Sequence, residues 1–243
     1  AWLHQAVEPD VALLGDPGTV FGQLAATYSG DGHDAWLAEA KQMHTEFYSA
    51  WQTRPRTEPG AMVGYDIVNA LDACITDDTV FVVDGGNIGQ WAHMVLLRNR
   101  YPASLLTCGA SGVIGYGVPG AMAARLAFPG RRALLLTGDG SLGFCLPEFQ
   151  SAARQGLPFV AVLANDEAWG IVVSGQRRAG KPCAASHLGK CDWVRVVEGL
   201  GGRGVRVQTP EEIAPAVEEG FASGLPTLVE VPLAIQGPAE CRL

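Results

Sequence analysis

The sequence predicts an α/β fold built on a doubly wound, mostly parallel sheet of six strands, and three observations predict it. From Ala61 onward, short apolar runs alternate with helical stretches. The short runs are apolar throughout rather than alternately polar, as in parallel sheets covered on both faces. Several of them end in polar or glycine-rich turns, and open α/β sheets bind ligands beyond the carboxyl ends of their strands.

The first 60 residues stand apart from this pattern. Val11 to Leu14 read as a short strand closing on Gly15-Asp16-Pro17-Gly18. A helix from Val20 to Tyr28 follows, then an amphipathic segment with Trp36, Leu37, Phe47 and Trp51. Thr53 to Gly60 is a linker by composition. One strand and one helix cannot bury their own apolar faces. Residues 1–60 are therefore expected to be a strand-helix appendage that docks elsewhere, and residues 61–243 the main domain.

Within that domain the elements follow in order. Met62 to Ile75 read as a helix and Val80 to Val83 as a buried strand ending at Asp84. Leu105-Leu106 begin a second strand, and Gly115 to Ala127 form a helix of small residues. Ala133 to Leu136 make a strand running into Thr137-Gly138-Asp139-Gly140. Pro147 to Gln155 read as a helix, with proline near the first turn and Gly156 just past the end. Phe159 to Leu163 form a strand that reaches Asn165-Asp166. The remainder reads as a helix from Asp192 to Leu200, a strand from Val205 to Val207, a helix from Pro210 to Ala222 and a strand from Thr227 to Val231.

Composition narrows the function. Twenty-five acidic against 17 basic residues give a net charge of -8, which argues against nucleic acid as a partner. No apolar run approaches the ~20 residues of a membrane span. The six cysteines form no C-x-x-C pair and read as reduced thiols of a cytoplasmic protein. Cys183, His187 and Cys191 would share a helical face, but three soft ligands beside Pro182 and Gly189 make a poor zinc site, and loop thiols are the favoured reading.

Three strand ends carry candidate chemistry: Asp84-Gly85-Gly86-Asn87, Gly138-Asp139-Gly140-Ser141 and Asn165-Asp166-Glu167-Ala168. Glycines let backbone N–H groups approach an anion closely, and helix N-termini favour negative charge. Asp139 and Asp166 would repel a bare phosphate, so a divalent cation is implied between them. Magnesium suits such hard oxygen ligands.

Gly138-Asp139-Gly140, 24 intervening residues and Asn165-Asp166 resemble the motif of thiamine diphosphate (ThDP) enzymes. Further landmarks resemble the acetolactate synthase-like family: Trp91-Ala92, Gly112 to Ala121, Pro147-Glu148-Phe149 and Trp169-Gly170-Ile171-Val172. The resemblance runs over residues 60–232, and Pro9 to Asp16 look like the last strand of that family's central domain. It implies a diphosphate-binding domain with Mg²⁺ held by Asp139, Asp166 and the Ala168 carbonyl. Gly86, Asn87, Ile88, Gly138, Gly140, Ser141 and Asn165 would line the diphosphate, with Trp169, Gly170 and Ile171 completing the run. Ile88 stands where these synthases usually have histidine. Gly112 and Ile114 would hold the aminopyrimidine, and the Ile114 side chain would bend the cofactor for activation.

The implied activity is ThDP- and Mg²⁺-dependent decarboxylation of a 2-oxo acid with carboligation. It would need a separate chain carrying the pyrimidine-binding and central domains and the catalytic glutamate, in a heterotetramer. FAD is left open by the resemblance, since its usual domain is not expected in this chain. Two alternatives are a 2-hydroxyacyl-CoA or oxalyl-CoA type lyase or decarboxylase and a non-catalytic ThDP-binding regulatory subunit. Gly175 stands where synthases carry a tryptophan, which predicts a wider acceptor pocket. Arg177, Arg178 and Lys181 read as a solvated loop face before an anion clamp.

Overall fold

The computed structural model describes residues 9–30, 32–53, 58, 60–96 and 104–238. The chain divides into two units, Ala1–Ser49 and Ala50–Leu243, with the boundary inside the second helix. The first unit holds α1 (Pro17–Thr27) and most of α2 (Asp34–Thr53). Asp16 caps α1, its carboxylate accepting from the Thr19 N–H at 2.9 Å, and Pro17 takes the first turn, where no N–H is needed. No residue of α1 is buried.

The strand expected at Val11 to Leu14 does not form. Those residues pair with no strand among the described residues. An extended segment needs a neighbour to satisfy its N–H and C=O groups. Most of the expected linker, Thr53 to Gly60, lies outside the described residues.

The second unit runs α3 (Gly64–Leu71), β1 (Thr79–Val83), α4 (Asn87–Val95), β2 (Leu105–Leu106), α5 (Gly117–Ala127), β3 (Arg132–Gly138), α6 (Asp139–Cys145), α7 (Glu148–Gln155), β4 (Val160–Asn165), α8 (Gly170–Arg178), α9 (Trp193–Gly199), β5 (Arg203–Arg206), α10 (Pro210–Ala222) and β6 (Thr227–Pro232). The six strands form one sheet in the order β2-β1-β3-β4-β6-β5, and every pairing is parallel. From β1 the chain moves outward to β2, then crosses back to β3 on the other side of β1. The sheet order therefore switches between β1 and β3, the place where such folds open a ligand crevice.

Both faces of the sheet are covered, which explains the unbroken apolar strands. On one face Val82, Leu135, Ala161, Leu163 and Leu228 pack with Val118, Leu142, Phe149 and Val197 from α5, α6, α7 and α9. The other carries α3, α4 and α10, and the strand residues of opposite parity, among them Phe81, Leu134, Val162 and Val229, are fully buried.

Helices α4, α6 and α8 are absent from the sequence-based expectation. Each begins in a glycine-rich segment that reads as a turn, and glycine is a poor helix former. Packing overrides that propensity: α4 lies on β3, and α6 on β3 and β4. The helix expected from Met62 to Ile75 is shorter, Gly64–Leu71. Asp66 fixes its start by accepting from the Val63 N–H at 2.9 Å. Beyond it, the Thr76 N–H donates to Thr79 Oγ1 at 3.1 Å in a tight turn into β1.

Candidate active site

The first wall of the site is made of backbone. Gly85 (φ +118°) follows β1, and a Cβ there would lie 2.9 Å from the Gly138 nitrogen at the end of β3. Only glycine combines that left-handed conformation with so close an approach. Asp84, just before it, is 1% exposed. Its carboxylate accepts from the N–H of Gly115 at 3.0 Å and of Gly117 at 2.8 Å. The Tyr116 hydroxyl donates to the Val83 carbonyl. Asp84 and Tyr116 thus tie the loop bearing Ile114 to the end of β1. The sequence marked Asp84 only as a strand end; its role shows once the glycine N–H groups converge on it.

The second wall is the turn after β4. Asp166 Oδ1 accepts from the Ala168 N–H at 3.2 Å, and Glu167 adopts φ +55°. A returning segment braces the turn: Ala168 bridges antiparallel to His187, the Trp169 N–H donates to the Ser186 carbonyl at 2.8 Å, and the Leu188 N–H to the Glu167 carbonyl at 2.8 Å. Glycines let this turn lie against the first wall. A Cβ on Gly140 would sit 2.5 Å from the Trp169 ring, one on Gly86 2.8 Å from Ile171 Cγ2, and one on Gly170 2.1 Å from Asp166 Oδ2.

Between the walls, the carboxyl groups of Asp139 and Asp166 interact directly. Burial pushes Asp139 up to about 6. Burial, then the negative charge of Asp139, pushes Asp166 up to about 7. Neither has a cationic side-chain partner among the described residues. Two carboxylates so placed must share a proton or a cation. A divalent cation fits this donor set, and a diphosphate fits the glycine cradle at Gly86, Gly138 and Gly140, which any larger residue would fill.

Thirteen of the expected site residues line one pocket: Gly86, Asn87, Ile88, Ile114, Gly138, Asp139, Gly140, Ser141, Asp166, Ala168, Trp169, Gly170 and Ile171. Gly112 and Asn165 do not line it. Gly112 is exposed at φ +62°, ending a short 3-10 turn two residues before Ile114. Asn165 is buried and turned away, donating from Nδ2 to Glu230 Oε1 at 2.9 Å.

Trp91, named above only as a family landmark, also lines the pocket, as do Ala164, Leu233 and Gln236, which were not assigned there. Trp91 Nε1 donates to the Gln236 carbonyl at 3.1 Å, and the Leu233 N–H to the Asn165 carbonyl at 3.0 Å. Leu233 and Gln236 follow β6, so the strand-end rule could have marked them. Gly175 lies on α8 off the pocket wall, with open space at its Cβ position. Arg177, Arg178 and Lys181 are exposed. Cys183, His187 and Cys191 belong to no metal-holding group of three among the described residues. No helix among those residues is long and apolar enough to cross a membrane.

Comparison with known proteins places this pocket in a family setting. The family model for the thiamine pyrophosphate enzyme, C-terminal TPP binding domain, matches residues 84–231. A probable acetolactate synthase of Mycobacterium bovis is 33% identical over 222 residues, covering 87% of this chain and 40% of the relative. A 2-hydroxyacyl-CoA lyase 2 of Caenorhabditis elegans is 29% identical over 202 residues, covering 80% of this chain and 31% of the relative. Among solved structures, the thiamine diphosphate-dependent 4-hydroxybenzoylformate decarboxylase of Rhodococcus jostii superposes with a TM-score of 0.66 at 27% identity, over 74% of this chain and 34% of that one. This chain thus spans well under half the length of these relatives.

Proposed function

The chain belongs to the thiamine pyrophosphate enzymes, as their C-terminal TPP-binding domain, and from that premise we propose that it serves Mg²⁺-dependent decarboxylation of a 2-oxo acid with carboligation. The observation that carries this reading is the Asp139–Asp166 pair, buried between two glycine turns with no cationic side-chain partner among the described residues. In the proposal Asp139, Asp166 and the Ala168 carbonyl hold Mg²⁺. Backbone N–H groups at Gly86, Gly138 and Gly140, with Asn87 and Ser141, receive the diphosphate. Ile88 and Ile171 wall it without polar contact. Bound ThDP supplies the carbanion chemistry that splits CO₂ from the 2-oxo acid and hands on the remaining unit. Ile114 sets the bend of the cofactor, and Gly112 stands near its pyrimidine ring. Asp84 keeps that loop in place.

We further propose that residues 1–60 are the tail of a central domain and 61–243 the diphosphate-binding domain. The pyrimidine-binding domain and its glutamate would come from a separate, cytoplasmic partner chain, in a heterotetramer. Exposed Val11, Leu14, Phe21 and Trp36 support a docking role for the first unit. FAD, if the assembly uses it, falls to the partner. A second reading, cleavage of a 2-hydroxyacyl-CoA, is favoured by the exposed Arg177, Arg178 and Lys181, which suit the phosphates of a CoA thioester.

The test is a pair of assays on the purified chain, with and without its partner: CO₂ release from 2-oxo acids, and cleavage of a 2-hydroxyacyl-CoA. The proposal expects ThDP- and Mg²⁺-dependent CO₂ release from the pair and none from the chain alone. Turnover by the isolated chain would remove the partner from the reading. Carbon–carbon cleavage of the 2-hydroxyacyl-CoA without 2-oxo acid turnover would favour the second reaction.

A further inference from the structure

Behind the pocket, a buried carboxylate organises the residue next to Asp166. Glu230, on β6, is 2% exposed. Its Oε1 accepts from Asn165 Nδ2 at 2.9 Å. Its Oε2 accepts from Arg206 Nε on β5 at 2.9 Å, and Arg206 Nη2 forms an ion pair with the same oxygen at 2.9 Å. Arg206 Nη2 also lies 3.6 Å from Asp192 Oδ1. Asn165 in turn uses Oδ1 to accept from the Glu167 N–H at 3.2 Å. The network therefore grips the chain on both sides of Asp166.

That grip matters because the turn is strained. Glu167 has φ +55°, a left-handed conformation that side chains other than glycine, asparagine and aspartate rarely adopt. The Asn165 acceptor helps to hold Glu167 there, and the turn so formed sends Asp166 and Ala168 into the pocket. A freely rotating Asn165 amide would lose that acceptor position. Glu230 fixes the amide, and the Arg206 guanidinium fixes Glu230 by occupying its other oxygen.

Resting on the cofactor reading above, we infer that Glu230 is a positioning residue for the metal site. It acts through Asn165 on the turn that presents Asp166 and Ala168, and it touches neither metal nor cofactor itself. A purely structural ion pair between β5 and β6 would support the fold without setting metal affinity.

The experiment measures Mn²⁺ binding to the full chain in the presence of ThDP, from the electron paramagnetic resonance signal of free Mn²⁺, alongside thermal unfolding. Glu230→Leu should raise the Kd for Mn²⁺ about tenfold, the lower end of what loss of an outer-shell partner costs. Glu230→Gln keeps an oxygen for Asn165 and should stay within about threefold of wild type, although it loses the Arg206 ion pair and melts earlier, as Glu230→Leu does. Asn165→Ala, which leaves the Arg206–Glu230 pair intact, should match Glu230→Leu in affinity and serves if that variant fails to fold. Asp166→Ala is the control. If Asp166→Ala loses Mn²⁺ while Glu230→Leu and Asn165→Ala bind it as wild type does, the positioning role is overturned and the cofactor reading stands. If Asp166→Ala also binds Mn²⁺ normally, the cofactor reading fails and the inference falls with it.

Discussion

The wall of the pocket at β1 and β3 and the wall at β4 and β6 are built by different means. The first is backbone: glycines at 85, 86 and 140 stand where a Cβ has little or no room, and one buried carboxylate, Asp84, collects N–H groups from the facing loop. The second is a side-chain network in which Asn165, Glu230 and Arg206 fix one another and hold the turn that carries Asp166. A backbone wall fails by steric intrusion. A network wall fails by loss of a partner, and its members can be changed one at a time. The two meet at Asp139 and Asp166, so damage there should be the most severe.

Asp139→Ala tests the meeting point. Removing one of two facing carboxylates takes away a proposed metal ligand, and the expected loss in Mg²⁺-dependent ThDP affinity is about 100-fold or more, beyond the usual cost of an outer-shell change. Isothermal titration of ThDP at fixed Mg²⁺ measures it. Unchanged affinity would show that the carboxylate pair does not hold the cation.

Gly170→Ala tests the contact between the walls. The new methyl would start 2.1 Å from Asp166 Oδ2 on its own wall and 2.9 Å from Asn87 Nδ2 on the other, so the carboxylate, the Asn87 amide or the start of α8 must move. Overpacking of this kind costs about 1–3 kcal/mol of stability. The affinity loss should lie between that of Asp139→Ala and wild type. Gly143→Ala, with open space at its Cβ position on α6, is the matched control and should leave both quantities alone. Equal behaviour of the two variants would mean that the turn tolerates displacement and that contact between the walls is not needed.

How legible each wall was in the sequence follows from the same difference. A glycine needed for backbone approach is visible as a glycine, and its place at a strand end follows from apolar periodicity. Gly86, Gly138, Gly140 and Asp139 were therefore readable, as were all six strands. Asn165 was readable as a polar residue at a strand end, but nothing local says which way its amide points. Its partner Glu230 lies 65 residues away in sequence, inside a strand that reads only as apolar with one acid. The helices at 87 and 139 were hidden because packing on the sheet, not propensity, forms them. Val11 to Leu14 have a strand's composition but no strand to pair with among the described residues, in keeping with the expectation that this segment docks elsewhere.

Asp84→Asn asks whether the backbone wall depends on a charge. The Gly115 and Gly117 N–H groups both reach Oδ2, so an asparagine oxygen there still accepts from both, but its NH₂ then replaces Oδ1, which also accepts from Gly115 at 3.2 Å, and sets a donor against a donor. A buried donor left unpaired costs about 1–3 kcal/mol, read from denaturant unfolding at constant slope. ThDP affinity should fall less than in Gly170→Ala, since the Ile114 loop loosens while the metal residues stay put. Wild-type stability would show that Asp84 is dispensable to the loop.

Gly175→Trp is the smallest expected effect on fold and cofactor, because it touches neither wall. Gly175 sits on α8 five residues beyond Gly170, with nothing near its Cβ position. A tryptophan can point into that space without displacing the Asp166 turn. Substituting glycine within a helix also removes backbone freedom from the unfolded chain. Stability should therefore stay within about 0.5 kcal/mol or rise slightly, as for surface positions without special contacts. ThDP and Mg²⁺ affinity should not change. In the assembled enzyme the same side chain should narrow the acceptor space proposed from its sequence position, lowering kcat/KM for bulky acceptors by about 10–200-fold relative to small ones, the range of steric discrimination in apolar pockets. If acceptor preference held while fold and cofactor binding also held, α8 would be excluded as a wall of the acceptor space. If cofactor affinity fell instead, the separation drawn between the Gly170 end of α8 and its outer turns would be wrong.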